Sequence, residues 1–260
     1  MKRIGYIGNF YKIPEYILHS EFVLEYVIVE DGCLSDEMLT FLKVRNIPFV
    51  ELANKSELVK IISEKKVDFW ITCSYGKRIP IEEMSNVEIY NIHYAALPNY
   101  KGRHPTFYAT MADEKSIGIS LHKVTPHLDE GDIIAQQFVP YYIWENENNL
   151  FEKLTDKVPL LLKSLNSYLK GTCTECIKNS EGNYFSPVAP KDYTINLCTD
   201  SPDVIFNKVR AQAKYRGALL EYNGEKYWVN KVYFSKEEHQ NKLCIKKEDY
   251  YIIFDSKKIS

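Results

Sequence analysis

Short β-branched and aromatic runs alternate along the first two thirds of this sequence with longer stretches in which apolar residues recur at helical spacing. Residues 3–7, 22–29, 67–72, 87–91 and 117–124 carry the valine, isoleucine and aromatic content of strands. Between them, residues 35–45 and 56–65 read as amphipathic helices with Ser35 and Ser56 as N-caps. Strands that alternate with helices imply an α/β fold: a mainly parallel sheet, right-handed crossovers and helices on both faces. Such sheets bind ligands beyond the carboxyl ends of their strands.

Residues 148–169 place Leu150, Leu154, Val158, Leu161, Leu162, Leu165, Tyr168 and Leu169 on one face, which predicts one long helix closing a first domain at residue 170. Gly171 supplies the stop. Beyond it the pattern changes to a loop (184–190), a short helix (202–213), a hairpin over 217–234 turning at Asn223-Gly224, and short strands at 243–246 and 250–254. Residues 171–260 are therefore expected to form a small C-terminal β-rich domain.

The charge balance narrows the partners. Lys and Arg total 33 against 35 for Asp and Glu, a net charge of -2, so no global field draws the chain onto nucleic acid or an anionic membrane. Residues 1–170 hold 19 basic and 23 acidic side chains, and the remainder 14 and 12, so neither part is a basic tail. The opening apolar run is short and lacks a small-residue cleavage site, so it reads as a first strand. No stretch reaches bilayer-spanning length. Six cysteines without a dense framework suit free thiols in a reducing cytosol, and a soluble cytoplasmic protein is expected. Cys173-x-x-Cys176 lacks a second ligand pair, so no metal site is expected.

The chemistry is concentrated between residues 91 and 132. Asn91 and His93 are two apart at a strand end, so they project to one side and can meet one substrate atom. Leu97-Pro98-Asn99 and Lys101-Gly102 mark a turn-rich loop beyond them, and Asp129 sits in the turn Leu-Asp-Glu-Gly within reach of His93. An amide, an imidazole and a carboxylate together suit acyl transfer: the amide donates to a developing oxyanion, the imidazole takes a proton and the carboxylate orients it. No serine or cysteine nucleophile is required. Residue types alone leave a second account open, in which Asn91 caps a turn, His93 is a satisfied loop histidine and Asp129 is solvated.

Asn91-x-His93, then Leu97-Pro-x-Tyr-x-Gly102, then Leu128-Asp-x-Gly-Asp132, in this order, resemble the folate-dependent formyltransferases. The resemblance is dense over residues 67–139 and faint after 171. It implies a Rossmann-like sheet, 10-formyltetrahydrofolate as donor without a metal, and a catalytic set falling on Asn91, His93 and Asp129. It also implies that main-chain groups hold the pterin, here from the loop containing Tyr75, Lys77, Arg78 and Ile79 and from Thr125, Pro126, His127, Leu128 and Asp129. Arg103 falls where some relatives place an arginine near the folate. His104 reads as a capping or packing residue, His122 as a strand residue and His127 as a loop residue.

Three acceptors compete within that resemblance. A methionyl-tRNA enzyme should carry a basic surface. A glycinamide ribonucleotide enzyme should carry a Gly-rich phosphate loop where this chain has Gly8-Asn9-Phe10-Tyr11-Lys12. The balanced charge and the β-rich C-terminal part instead resemble the enzymes that formylate a nucleotide-linked dideoxy amino sugar for surface glycans such as O-antigen. On that reading Asn9, Tyr75 and Lys77 face the acceptor, with Lys77 on the pyrophosphate, and Arg210, Tyr215 and Arg216 are weaker nucleotide contacts. The aromatic-rich hairpin is expected to support a homodimer, as in some relatives. From another class, a non-catalytic nucleotide-binding protein would use Gly5 and Gly8, but Gly-x-x-Gly alone is a weak fingerprint.

Overall fold

A computed structural model describes residues 1–173 and 175–259. In chain order the strands and helices are β1 (Lys2–Gly8), α1 (Lys12–Leu18), β2 (Phe22–Glu30), α2 (Asp36–Val44), β3 (Phe49–Leu52), α3 (Lys55–Glu64), β4 (Phe69–Cys73), β5 (Ile89–His93), β6 (Lys101–Gly102), α4 (Pro105–Met111), β7 (Ser116–Lys123), β8 (Ile133–Pro140), α5 (Glu147–Thr155), α6 (Val158–Leu169), β9 (Tyr184–Phe185), α7 (Pro190–Tyr193), β10 (Thr194–Ile195), α8 (Pro202–Ala211), β11 (Ala218–Tyr222), β12 (Glu225–Ser235), β13 (Leu243–Lys246) and β14 (Tyr251–Lys258).

Seven strands form one sheet in the order β3-β2-β1-β4-β5-β7-β8. The first five run parallel, and β7 is antiparallel to β5. This is the expected α/β fold with a mainly parallel sheet. β4 is buried along its whole length because crossover helices cover the sheet: Leu58 and Ile62 of α3, for example, pack on Ile7, Ile28 and Trp70. The opening glycines answer to packing. A Cβ on Gly5 would lie 2.2 Å from the Trp70 ring, and one on Gly8 would lie 2.0 Å from the Cys73 carbonyl oxygen. No phosphate is needed to explain Gly-x-x-Gly.

Two local expectations are corrected. Asn54 rather than Ser56 caps α3, because its Oδ1 accepts from the Glu57 amide at 2.8 Å while the Ser56 hydroxyl donates to the same oxygen. The long helix over 148–169 is two helices, α5 and α6, since Pro159 has no N–H for the Thr155 carbonyl and its ring clashes with it. By its internal contacts the chain divides into two compact units. One comprises Met1–Lys101, Gly118–Val139 and Leu154–Tyr184, and the other Gly102–Ile117, Pro140–Lys153 and the chain from Phe185 onward. Gly171 does stop α6, at φ +70°.

In the second unit, five strands are ordered β10-β11-β12-β14-β13, and α8 lays Ile205 and Val209 on Leu220, Val229, Val232 and Phe254. The β11–β12 turn has positive φ at both Asn223 (51°) and Gly224 (78°), the backbone that a two-residue hairpin loop demands. Val229 and Val232 are both buried although three apart, because an irregularity between Val229 and Lys231 adds a residue and re-phases the strand. Fewer aromatics are therefore surplus than strict alternation suggests. Tyr233 and Phe234 are the exposed ones.

Candidate active site

β5 pairs with β4 in parallel and with β7 in antiparallel register, which sets Asn91 directly opposite His122. The Asn91 Nδ2 lies 3.0 Å from His122 Nε2 and 3.4 Å from Asp129 Oδ1. Hydrogen-bond chemistry fixes the orientation of both groups. His122 Nδ1 lies 2.8 Å from the Lys123 carbonyl, which can only accept, so Nδ1 carries the proton and Nε2 accepts from the Asn91 amide.

His93 ends β5 and is buried. Its Nε2 donates to the Tyr100 carbonyl at 2.8 Å, and its Nδ1 lies 3.8 Å from Asp129 Oδ2. Burial pushes the His93 pKa below its ordinary value. Asp129 pulls it up, His122 pushes it down and the Tyr100 carbonyl pulls it up, but burial dominates. The resting imidazole is therefore neutral near pH 7, with the Nδ1 lone pair turned toward a carboxylate that would stabilise the imidazolium once a proton arrived.

Asp129 adopts φ +54°, a left-handed conformation uncommon for a residue with a side chain, and its carboxylate is buried. Two residues on, Gly131 lets the turn close: a Cβ there would stand 1.9 Å from the Lys123 carbonyl oxygen. Arg78 Nη2 donates to the Pro126 carbonyl at 3.0 Å, linking the loop after β4 to the 125–129 turn. Thr125, Pro126, His127 and Leu128 line that turn, with Pro126, His127 and Leu128 exposed, and Ile79 is buried in the core beneath the β4 loop. Among the described residues, no group of three or more His, Cys, Asp or Glu side chains is arranged to hold a metal ion.

Residues 48–163 match the family described as formyl transferase, and residues 187–257 match the formyl transferase C-terminal domain. The chain belongs to the formyltransferase family. It is 33% identical over 170 residues to the methionyl-tRNA formyltransferase of Lactococcus lactis subsp. cremoris strain SK11, covering 64% of this chain and 51% of that protein. The chain thus spans about half the length of the curated relatives it matches. Among solved structures it resembles WlaRD, a sugar 3N-formyl transferase solved with dTDP and 5-N-formyl-THF, at TM-score 0.73 and 21% identity, covering 98% of each chain. The N-formyltransferase from Helicobacter canadensis, solved with folinic acid and dTDP-3-aminofucose, matches at TM-score 0.74 and 20% identity over 99% of this chain and 100% of that one. HypX from Aquifex aeolicus matches at TM-score 0.74 and 15% identity, covering 99% of this chain but 46% of its own.

Within this formyltransferase-family chain, the remaining sequence-predicted residues fall into two groups. Asn9 and Lys77 meet in the first unit at Glu30, the last residue of β2. The Glu30 amide donates to Asn9 Oδ1 at 3.0 Å, and its carboxylate takes Asn9 Nδ2 at 3.3 Å and the Gly76 amide at 3.0 Å. Lys77 Nζ stands 3.7 Å from the same carboxylate and donates to the Ala53 carbonyl at 2.9 Å. Tyr75 packs partly against the core, and burial, aided by Glu30, raises its pKa.

Arg103, Arg210, Tyr215 and Arg216 belong to the second unit. Arg103 and Arg216 are exposed. Arg210 is buried: Nε donates to the Glu145 carbonyl, Nη1 to Asp113 and Asn207, and Nη2 to the Tyr142 carbonyl. Those contacts make it an internal brace of its unit. Tyr215 packs edge-on to His104, which stands at the N-cap of α4 and accepts weakly from the Val188 amide at 3.4 Å.

Two members of the first-unit site escaped sequence reasoning. His122 reads as an ordinary strand residue until the antiparallel register puts it opposite Asn91. Glu30 carries one signal, a charge closing the apolar run Phe-Val-Leu-Glu-Tyr-Val-Ile-Val.

Proposed function

We propose that this protein moves the formyl group of 10-formyltetrahydrofolate onto the amine of a nucleotide-linked dideoxy amino sugar. The observation that carries this reading is the buried, neutral His93 held between the Tyr100 carbonyl and the Asp129 carboxylate, with the Asn91 amide beside them, in a chain of this family. The neutral amine attacks the formyl carbon, and the Asn91 amide turns one N–H to the oxyanion that develops there. Of its two N–H groups, the one across the longer 3.4 Å separation to Asp129 is the less tightly held, and a small rotation of the whole amide offers it to the oxyanion. His93 takes the amine's proton at Nδ1 while Asp129 stabilises the resulting cation. The carbon–nitrogen bond to the folate then breaks as that nitrogen takes the proton from the His93 imidazolium, which returns to neutral, and the formamide leaves.

Backbone groups around Lys77, Arg78, Ile79 and residues 125–129 suit the pterin, whose edge presents amide-like donors and acceptors. Asn9, Tyr75 and Lys77 serve the acceptor, Lys77 exchanging its contact with Glu30 for the pyrophosphate. Arg103 serves the folate, and Tyr215 and Arg216 the nucleotide. The sugar acceptor is supported by near-complete mutual coverage with the sugar enzymes and by a C-terminal part without basic excess. The protein is read as a cytoplasmic homodimer that binds neither nucleic acid nor membrane; among the described residues no helix is long and apolar enough to cross a membrane.

One observation favours a second acceptor, methionyl-tRNA: identity reaches 33% with such an enzyme but 21% with a sugar enzyme. A panel decides between them. Tetrahydrofolate release should depend on a nucleotide-linked amino sugar and not on methionyl-tRNA or glycinamide ribonucleotide. Release driven by methionyl-tRNA would replace the acceptor, and release with none of the three would remove the reading.

A further inference from the structure

The segment that follows α6 returns to the site. Ile177 forms an antiparallel bridge with Ile133, each amide donating to the other's carbonyl at 2.9 Å. Two residues later, Asn179 Nδ2 donates to the Asp129 carbonyl at 2.7 Å and to the Gly131 carbonyl at 3.1 Å. The same segment grips the other side of the site. Lys101 Nζ donates to the Ser180 carbonyl at 3.0 Å, and the Lys101 amide donates to the Asn183 carbonyl at 2.9 Å. Lys101 directly follows Tyr100, whose carbonyl receives the His93 Nε2 proton. Residues 177–183 thus form a strap fastened both to the turn that carries Asp129 and to the loop that orients His93.

Asn179 cannot be turned over in this arrangement, since its oxygen would then face two carbonyl oxygens at hydrogen-bonding distance. With the nitrogen inward, Oδ1 is buried and has no hydrogen-bond partner. A buried orphan acceptor is destabilising. What the asparagine supplies here is the paired donation across a left-handed Asp129.

We propose that Asn179 is a positioning residue for the transfer read above, clamping the 129–131 turn so that the Asp129 carboxylate stands against His93 Nδ1. It acts through Asp129 and touches no reacting atom. The inference rests on the proposed reaction for its kinetic consequence but not for its structural one.

The test uses the full chain with Asn179→Leu, which keeps the volume and removes both donors, and Asn179→Ser, which keeps one donor and guards against a variant that fails to fold. The first readout needs no substrate: the NMR titration of His93, its resonance assigned by its loss in His93→Gln. Because the Asp129 charge pulls the His93 pKa up, a loosened turn should lower the midpoint, by about half a unit or more for Asn179→Leu and less for Asn179→Ser. The second readout is formyl transfer, where kcat should fall on the order of tenfold with KM for the folate within about twofold. An unchanged His93 midpoint in Asn179→Leu overturns the proposal, whether or not thermal stability falls. A wild-type protein without transfer activity would overturn the reaction while the titration still decides the role of Asn179.

Discussion

Each compact unit of this protein buries a carboxyl group almost completely, and the two are treated oppositely. Asp129 stands among the Asn91 amide, two imidazoles and a clamped backbone turn. Glu147, at the start of α5, has one oxygen taking the Thr106 hydroxyl at 2.6 Å and the other without a partner. Burial pushes the Glu147 pKa up to about 7, with Thr106 and then Lys214 pulling the other way. Around Asp129 the effect is read on its neighbour, where burial keeps His93 neutral and the carboxylate waits for its proton. Burial of a carboxyl is therefore not in itself the mark of a site. The mark is a titrating partner set against it, together with an amide donor beside both.

The sharpest break in this contrast is expected from Asn91→Ala, which removes the oxyanion donor and the contact with His122. Turnover should fall about a hundredfold, near 3 kcal/mol of transition-state stabilisation, with folate affinity retained. Steady-state kinetics beside a folate titration checks this, and near-normal turnover would reduce Asn91 to a capping residue. Glu147→Gln should do the reverse, leaving transfer intact and changing stability. In the wild type the folded pKa of about 7 lies above the ordinary 4.5, so the unfolded chain ionises first as pH rises. Stability is then full below about pH 4.5 and falls toward pH 7, by up to about 3 kcal/mol or roughly 5–10 °C in Tm. Thermal unfolding from pH 4.5 to 8 should show that decline in the wild type and a flatter profile in Glu147→Gln. Equal profiles would mean Glu147 stays ionised.

Asp129→Asn sharpens the comparison from the other unit. Removing the charge lowers the His93 pKa further, so the acid limb of the kcat/KM profile should move to lower pH, with roughly a tenfold loss of rate at the plateau. An unmoved limb would dissociate the two residues. The smallest effect is reserved for the exposed pair on β12: Tyr233→Lys with Phe234→Lys should convert the expected dimer to monomer in sedimentation while shifting monomer stability by less than about 1 kcal/mol. A wild type that sediments as a monomer at all concentrations would end that expectation.

Much of this arrangement is legible in the sequence because it depends on local period. Asn91 and His93 share a face by strand alternation, Asn223-Gly224 names its own turn, and Ser35 caps α2 through the Met38 amide. What is not legible depends on register and on long-range contacts. His122 joins Asn91 only through the β5–β7 pairing. Asn179 lies in a loop of unremarkable composition and meets Asp129 fifty residues away. The break before α6 was written in Pro159, but the apolar face runs unbroken across it and outweighs the local signal.

In the proposed reaction formyl passes directly from folate to amine with His93 taking the proton. This is tested most directly by following an isotopic label in the formyl carbon through a reaction with a nucleotide-linked amino sugar. The label should appear on the sugar amine with the wild-type protein, remain on the folate on the order of a hundredfold longer with His93→Ala, and never be trapped on the polypeptide. Label bound to the protein, label released as formate, or equal transfer by His93→Ala would contradict it.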